Sequence, residues 1–254
     1  MQDAELLKAA VLKAGEVAMS HFRQSPEQWV KSDGSLLTAA DLAVNEALHE
    51  MLTTSRPEYG WLSEEGPEDK TRTQKEFCWI LDPIDGTRSF AAGRDEWCIG
   101  LCLAHQGQPV IAGVMHPTTK QLFLAEKNAG TTLNGTRVLV TDGASLHGAT
   151  LAARGLARKR VEALGLEAID VVHMPQISRL ALLAYGKVDM VLSFGWKHDW
   201  DIAPGALLVS EAGGMVSDEH GVEMVFNQPH PEQFGVVAAG PQRHAAVLKF
   251  LESR

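Results

Sequence analysis

Residues 81–90 read LDPIDGTRSF, which sets Asp82 and Asp85 three positions apart with Pro83 stiffening the link. Two carboxylates this close repel each other unless something positive sits between them. The pair therefore points to a bound cation. Asp-Pro and Asp-Gly are also ordinary turn dipeptides, and a plain turn accounts for the stretch equally well when it stands alone. Three further places carry acids beside apolar runs. Thr38 and Asp41 have the spacing of a capping box, which by itself explains both. Glu64 and Glu65 are adjacent after Trp61-Leu62-Ser63, where a solvated turn is an equal explanation. Asp199 and Asp201 lie in KHDWDIA, residues 197–203, and an aspartate that opens a helix commonly caps free N–H groups.

Together these acids offer hard oxygen ligands and no soft ones, a set that favours magnesium, manganese or calcium over zinc or copper. The ten histidines form no His-x-x-x-His pair and no Cys/His cluster, so a structural zinc site is not expected. Magnesium takes a few carboxylates and completes its shell with water and substrate phosphate. Gly86 and Thr87 supply the other half of that logic. A helix starting just after Asp85 would aim free backbone N–H groups at an anion, and the Thr87 hydroxyl would orient a water.

Positioning such residues takes a particular set of elements. Residues 77–81, FCWIL, read as a buried strand delivering Asp82 to its end. Helical periodicity covers residues 3–22 and 39–54. Apolar runs near 98–105, 109–116, 121–126 and 131–140, with short turn-rich links and Asn134-Gly135, predict a series of antiparallel hairpins. The composition changes at residues 141–148, TDGASLHG, a seam between an α+β half, 1–143, and an α/β half, 144–254. In the second half, apolar pieces at 149–153, 169–172, 188–193 and 235–239 alternate with helical stretches near 178–186, 201–212 and 241–252. A cleft between the halves would let acidic strand ends meet.

The whole chain sets limits on partners. Its 254 residues are enough for one large domain or two modest ones, and 45% apolar with 22% charged residues is ordinary for a globular protein. A formal net charge of −9 argues against a nucleic-acid polymer or an anionic membrane as partner. The first 22 residues lack the basic leader and unbroken apolar stretch of a signal peptide and read as an amphipathic helix. No apolar run approaches the roughly 18–20 residues that span a bilayer. Three cysteines, Cys78, Cys98 and Cys102, without a Cys-x-x-Cys pair suit a reducing cytoplasm, with Cys98 and Cys102 as core thiols.

In chain order, Asp41, Ser63-Glu64-Glu65, Asp82-Pro-Ile-Asp-Gly-Thr87, Trp200-Asp-Ile-Ala203 and Glu211-Ala-Gly-Gly214 resemble the inositol monophosphatase superfamily of magnesium-dependent, lithium-sensitive phosphatases. The resemblance spans most of the chain and implies a layered αβαβα sandwich. It implies that Glu64, Asp82, Asp85 and the Ile84 carbonyl bind metal, with Asp201 joining the two aspartates around a second ion. Glu65 would stand behind them or near a third, water-rich ion. Thr87 and Asp41 would position and activate the attacking water, Gly86 and Thr87 would cradle the phosphate, and Lys31 would sit on a flap above the site. The implied cofactor is magnesium, two or three ions per site, with manganese as a substitute. The implied reaction is direct attack of water on a small phosphate monoester, and the resemblance admits a homodimer.

Several positions depart from the family pattern. Ser63 stands where many relatives have glycine, Ser89 where asparagine is common, and Pro204 where alanine is usual; proline is tolerated in a helix's first turn. Phe194, seven residues before Asp201, takes the place where inositol-specific members carry a glutamate that reads sugar hydroxyls. With Arg179 and Lys197 it is expected on the substrate side. Residues 198–203 and 178–181 look like members that act as 3′(2′),5′-bisphosphate nucleotidases, so that activity or a histidinol-phosphate phosphatase stands beside the inositol monophosphate reading. A haloacid-dehalogenase-like route has no nucleophile, because Pro83 occupies the place its aspartate would need. No Gly-x-Ser-x-Gly elbow and no Gly-x-x-x-x-Gly-Lys loop is present. A non-catalytic metal- or phosphate-binding regulator is the rival of another class, and no acid has been lost to favour it.

Overall fold

Strand β4 (Phe77–Asp85) is covered on both faces. Its side chains Cys78 and Ile80 enter one apolar cluster, while Trp79 and Leu81 enter another. A strand covered on both sides needs no polar alternation, which is why FCWIL reads as an unbroken run. Strand β5 (Cys98–His105) divides in the same way, with Cys98 and Cys102 on one side and Ile99, Leu101 and Leu103 on the other. All three cysteines are buried free thiols, Cys98 and Cys102 as expected.

The structure, a computed structural model, describes residues 2–67, 69–153, 159, 162, 168–169 and 174–252. Strands β3 (Gly60–Ser63), β4, β5, β6 (Gln108–His116), β7 (Gln121–Glu126), β8 (Gly130–Leu133) and β9 (Thr136–Val138) form a seven-stranded sheet in chain order. Strand β3 runs parallel to β4, and the others pair antiparallel. The expected hairpins are there, with the run at 131–140 split into β8 and β9 at Asn134-Gly135. Both turn residues have positive φ, +48° and +81°, the backbone that a tight hairpin turn demands. Helices α1 (Asp3–His21) and α2 (Ala39–Ser55) cover the outer face of this sheet, packing Leu7, Val11, Leu48 and Leu52 against Trp79 and Leu101.

The second sheet runs β11 (Ala168–Ile169), β10 (Leu151–Ala153), β12 (Met190–His198), β14 (Glu232–Ala239), β13 (Met215–Ser217). Residues 170–172 of the expected strand at 169–172 lie outside the described residues. Helices α4 (Gln176–Ala184) and α5 (Asp199–Glu211) fill the layer between the sheets. Ile177, Leu180, Ile202 and Leu208 share one cluster with Ile80 and Cys102 of the first sheet and Val191 and Val236 of the second. Helix α6 (Pro241–Glu252) closes the far side, where Val247 meets Leu192 and Val237. The layers therefore run αβαβα. Close approach inside the middle layer rests on Gly205, where a Cβ would come within 2.7 Å of Leu180 Cβ.

Helix α5 starts at Asp199, so Pro204 lies inside it and not in its first turn as the sequence suggested. Pro204 has no N–H to offer the carbonyl of Trp200, a backbone loss that packing in the middle layer offsets. Short elements escape the periodicity: the hairpin β1 (Gln28–Val30) and β2 (Leu36–Thr38), the helix α3 (Thr87–Ala91), and edge strand β13.

Candidate metal and phosphate site

The register between β4 and β5 shifts between Asp82 and Asp85: Asp82 lies opposite Gly100, and Asp85 opposite Cys98. Two residues of β4, Pro83 and Ile84, thus face one of β5, and the bulge re-aims the strand end. Pro83 fits there because a bulged residue needs no ladder N–H. The result places ligand oxygens of Asp82, Asp85 and Asp201 within 4.8 Å of one another. Asp201 comes from the start of α5, so the cluster joins the end of a first-sheet strand to the middle helix layer.

Asp85 and Asp201 each spend one oxygen on backbone. The Ile177 N–H at the start of α4 donates to Asp85 Oδ2 at 2.7 Å, and the His198 N–H donates to Asp201 Oδ2 at 3.0 Å. Asp201 therefore caps its helix and also contributes a ligand oxygen to the cluster. Asp82 is 1% exposed, and its Oδ1 is enclosed without any hydrogen-bond partner. An enclosed carboxylate oxygen without a donor is expensive unless a cation meets it. Burial raises the pKa of all three acids. Glu64 and Asp85 add to the rise at Asp82, Asp201 adds at Asp85, and Glu64 adds at Asp201, which reaches about 6. Such a set, oxygen-only and short of positive charge, fits a hard divalent cation.

Asp41 caps a helix with one oxygen and stands beside Thr87 with the other. Its Oδ2 accepts the Thr38 N–H at 2.8 Å and the Thr38 hydroxyl at 2.5 Å, fastening the start of α2. Its Oδ1 lies 3.3 Å from Thr87 Oγ1, which is 3.0 Å from the Ile84 carbonyl. The single Thr87 proton serves one of these acceptors at a time. Burial lifts Asp41 to about 6 against the hydrogen bonds from Thr38. Gly86 has φ +100°, and a Cβ there would fall 2.9 Å from the Glu96 carbonyl, so the turn into α3 requires glycine.

Lys31, expected on a flap, lies on a hairpin beside the site. Hairpin β1–β2 carries it to the two glutamates, where Nζ donates to Glu64 Oε1 at 3.0 Å and to Glu65 Oε1 at 2.6 Å. Burial raises Glu65 to about 7, against the pull of Lys31. A cleft of about 460 Å³ opens beside these groups and reaches Glu64, Asp85, Gly86, Thr87 and Asp201. Arg179 and Lys197 line it too. Arg179 is 4% exposed and held by Gln176 Oε1 at 2.5 Å and Ser193 Oγ at 3.3 Å.

Phe194 is the expected substrate-side residue that the structure does not bring to this cleft. Along β12 it shares a face with Met190 and Leu192, packs with the outer cluster near Leu146, Leu248 and Leu251, and lines a different cavity with Glu219 and His220. The pleat turns its neighbour Ser193 toward Arg179 instead. Counting seven residues back from Asp201 ignores the bulge in β12 between Ser193 and Trp196. Sequence reasoning also missed Ile177, whose N–H fixes Asp85, because the helix was expected to start at 178; Pro175 at its N-cap was the available signal. Arg88 and Arg94, which follow the DGT stretch, line the cleft as well, and no spacing rule marks them.

A sequence profile described as the inositol monophosphatase family matches residues 2–253. The chain is 32% identical over 252 residues to a protein named inositol-1-monophosphatase from Rhizobium meliloti, covering 94% of this chain and 92% of that one. It is 30% identical over 230 residues to a protein named Nus factor SuhB from Xylella fastidiosa, covering 86% and 82%. Among solved structures, an IMPase from Thermotoga maritima superposes with a TM-score of 0.84 at 25% identity, covering 99% and 95% of the two chains. The SuhB protein of Bartonella henselae gives 0.85 at 24%, covering 98% and 97%, a likeness of fold. These relatives lend no support to the bisphosphate-nucleotidase likeness read from residues 178–181 and 198–203.

Proposed function

The chain belongs to the inositol monophosphatase family, and from that premise we propose that it is a magnesium-dependent phosphatase of small phosphate monoesters, inositol monophosphate among them. The observation that carries this reading is the enclosed, unpartnered Asp82 Oδ1 inside a cluster of three carboxylates. Glu64, Asp82, Asp85, Asp201 and the Ile84 carbonyl would hold the metal. Bound magnesium supplies Lewis-acid polarisation of phosphoryl oxygens and a lowered pKa for water.

The residues of the chain supply the rest. Thr87 and Asp41 lie within hydrogen-bond distance of each other and are suited to orient a water and take its proton through Asp41 Oδ1. The start of α3 at Gly86-Thr87 offers the phosphate its backbone. The new bond forms between that water's oxygen and phosphorus, the ester P–O bond breaks, and the leaving alkoxide recovers a proton from solvent. Lys31 with Glu65 closes the hairpin side.

Phosphate release from inositol 1-phosphate by the purified chain tests the reading. Turnover is expected with magnesium, with loss in excess chelator, a fall when calcium replaces magnesium, and inhibition by lithium. The same assay covers sugar phosphates, histidinol phosphate and adenosine 3′,5′-bisphosphate. Failure on all of them removes the enzyme reading. The relatives named Nus factor support a second reading, a regulator built on this fold, which that failure would favour.

A further inference from the structure

The cleft beside the carboxylates holds more positive charge than the carboxylates engage. Arg179 is within electrostatic reach of Asp85, and Lys197 of Asp201. Arg88 and Arg94 line the same cleft and differ from them. Arg88 gives its Nη2 to the Gly34 carbonyl at 3.0 Å, and Arg94 has an enclosed Nε without a hydrogen-bond partner. Neither pairs with a carboxylate among the described residues. Gln176, 5% exposed, lines the same cleft from the start of α4, with Oε1 engaged by Arg179 and Ser193. Its Nε2 is enclosed and has no partner. Here an amide and a guanidinium both present donors that no protein acceptor meets.

Enclosed donors of this kind are built for an acceptor from outside the chain. A hydroxyl satisfies one N–H and leaves the two guanidinium charges unbalanced. A phosphate or carboxylate matches the guanidinium fork with two parallel bonds and cancels charge as well. The wall is tied to the reaction centre: Arg88 follows Thr87 in α3, and the Arg94 N–H bonds back to the Ser89 carbonyl at 2.9 Å. We infer that the preferred substrate carries a second anionic group, phosphate or carboxylate, which Arg94 and Arg88 receive with Gln176 as the neutral donor beside them. This inference rests on the phosphatase reading and narrows its substrate to doubly anionic phosphate monoesters.

The test compares kcat/KM at fixed ionic strength for three substrates of similar size: an inositol monophosphate, a bisphosphate and a phosphorylated hydroxy acid. The wild-type protein should favour one of the two doubly anionic substrates by about tenfold or more. Arg94→Gln should shrink that preference by about tenfold, through KM more than kcat, and Arg94→Lys should recover part of it. The arm that loses more identifies phosphate or carboxylate as the second group. Arg88→Gln repeats the measurement if Arg94→Gln melts early. An unpreferred second anion in the wild type, or an equal loss on all three substrates, overturns the inference; equal loss would assign both arginines to the reacting phosphate. Absence of turnover on every substrate sinks the phosphatase reading first and this inference with it.

Discussion

Asp41 caps α2 with one oxygen and turns the other to Thr87, the geometry on which its assignment to the attacking water rests. Its two oxygens point at different tasks, Thr38 and the start of α2 on one side, Thr87 on the other. Asp41→Asn keeps an oxygen able to accept from Thr38, so the cap costs little, about 1 kcal/mol or less. The proton acceptor facing Thr87 is lost outright. Turnover should fall by roughly 10²–10⁴-fold, the usual contribution of a positioned base, while the melting temperature moves only a few degrees. Kinetics and a thermal melt on the same preparation separate the roles. A large stability loss with kcat unchanged would leave Asp41 a cap and nothing more. At this scale the acids were legible from their spacing, because carboxylates crowd only where something rewards crowding. Phe194 was not, because a one-residue bulge flips which neighbour faces the cleft, and spacing alone does not record a bulge.

Among the elements, long helices and doubly covered strands declared themselves through period, and the short pieces around the site did not. Hairpin β1–β2 is the functional case. Trp29 and Val30 are 44% and 75% exposed, so no apolar alternation marks the strand. What fixes the hairpin is the Gly34 turn, closed by the Lys31 N–H to Ser35 carbonyl bond at 2.9 Å, and the Lys31 ion pairs at that same end. The Lys31 ammonium sits on Glu64; if Glu64 holds metal as proposed, hairpin position and metal occupancy would compete for one carboxylate. Linkage then makes the effect reciprocal. Lys31→Met should tighten magnesium binding by about fivefold or more, read by titration calorimetry. Magnesium should also change Trp29 fluorescence in the wild type as the hairpin is released, a signal the variant should show without metal. Weaker magnesium binding in Lys31→Met would mean that the lysine supports the loaded site instead.

For the whole molecule, the five layers bring together acids from distant stretches of chain. Asp82 and Asp85 precede the 141–148 seam and Asp201 follows it, yet α4 and α5 bury Ile177 and Ile202 in one cluster with Ile80 and Val191. Residues 1–143 and 144–254 therefore share a core, and the carboxylate cluster is built from both. That arrangement stores repulsion. Burial, with help from Glu64, holds Asp201 at about 6, and Asp82 and Asp85 are raised as well. In the unfolded chain such acids ionise near 4, a typical aspartate value. Between about pH 4 and pH 6 the folded state keeps protons that the unfolded state has released, so metal-free stability should fall as pH rises through that window. Magnesium, bound only by the folded state, should add to the unfolding free energy with the logarithm of its concentration, about 2.7 kcal/mol at a hundred times Kd, and the melting temperature should rise with it. Asp201→Asn tests both slopes at once. Asparagine still accepts the His198 N–H as a cap, so the helix start survives. The variant without magnesium should melt at or above the wild type at pH 7, lose much of the pH dependence, and respond weakly to magnesium. A wild type whose melting temperature ignores magnesium at every concentration would show that the cluster tolerates its own charge, and the metal assignment would fall.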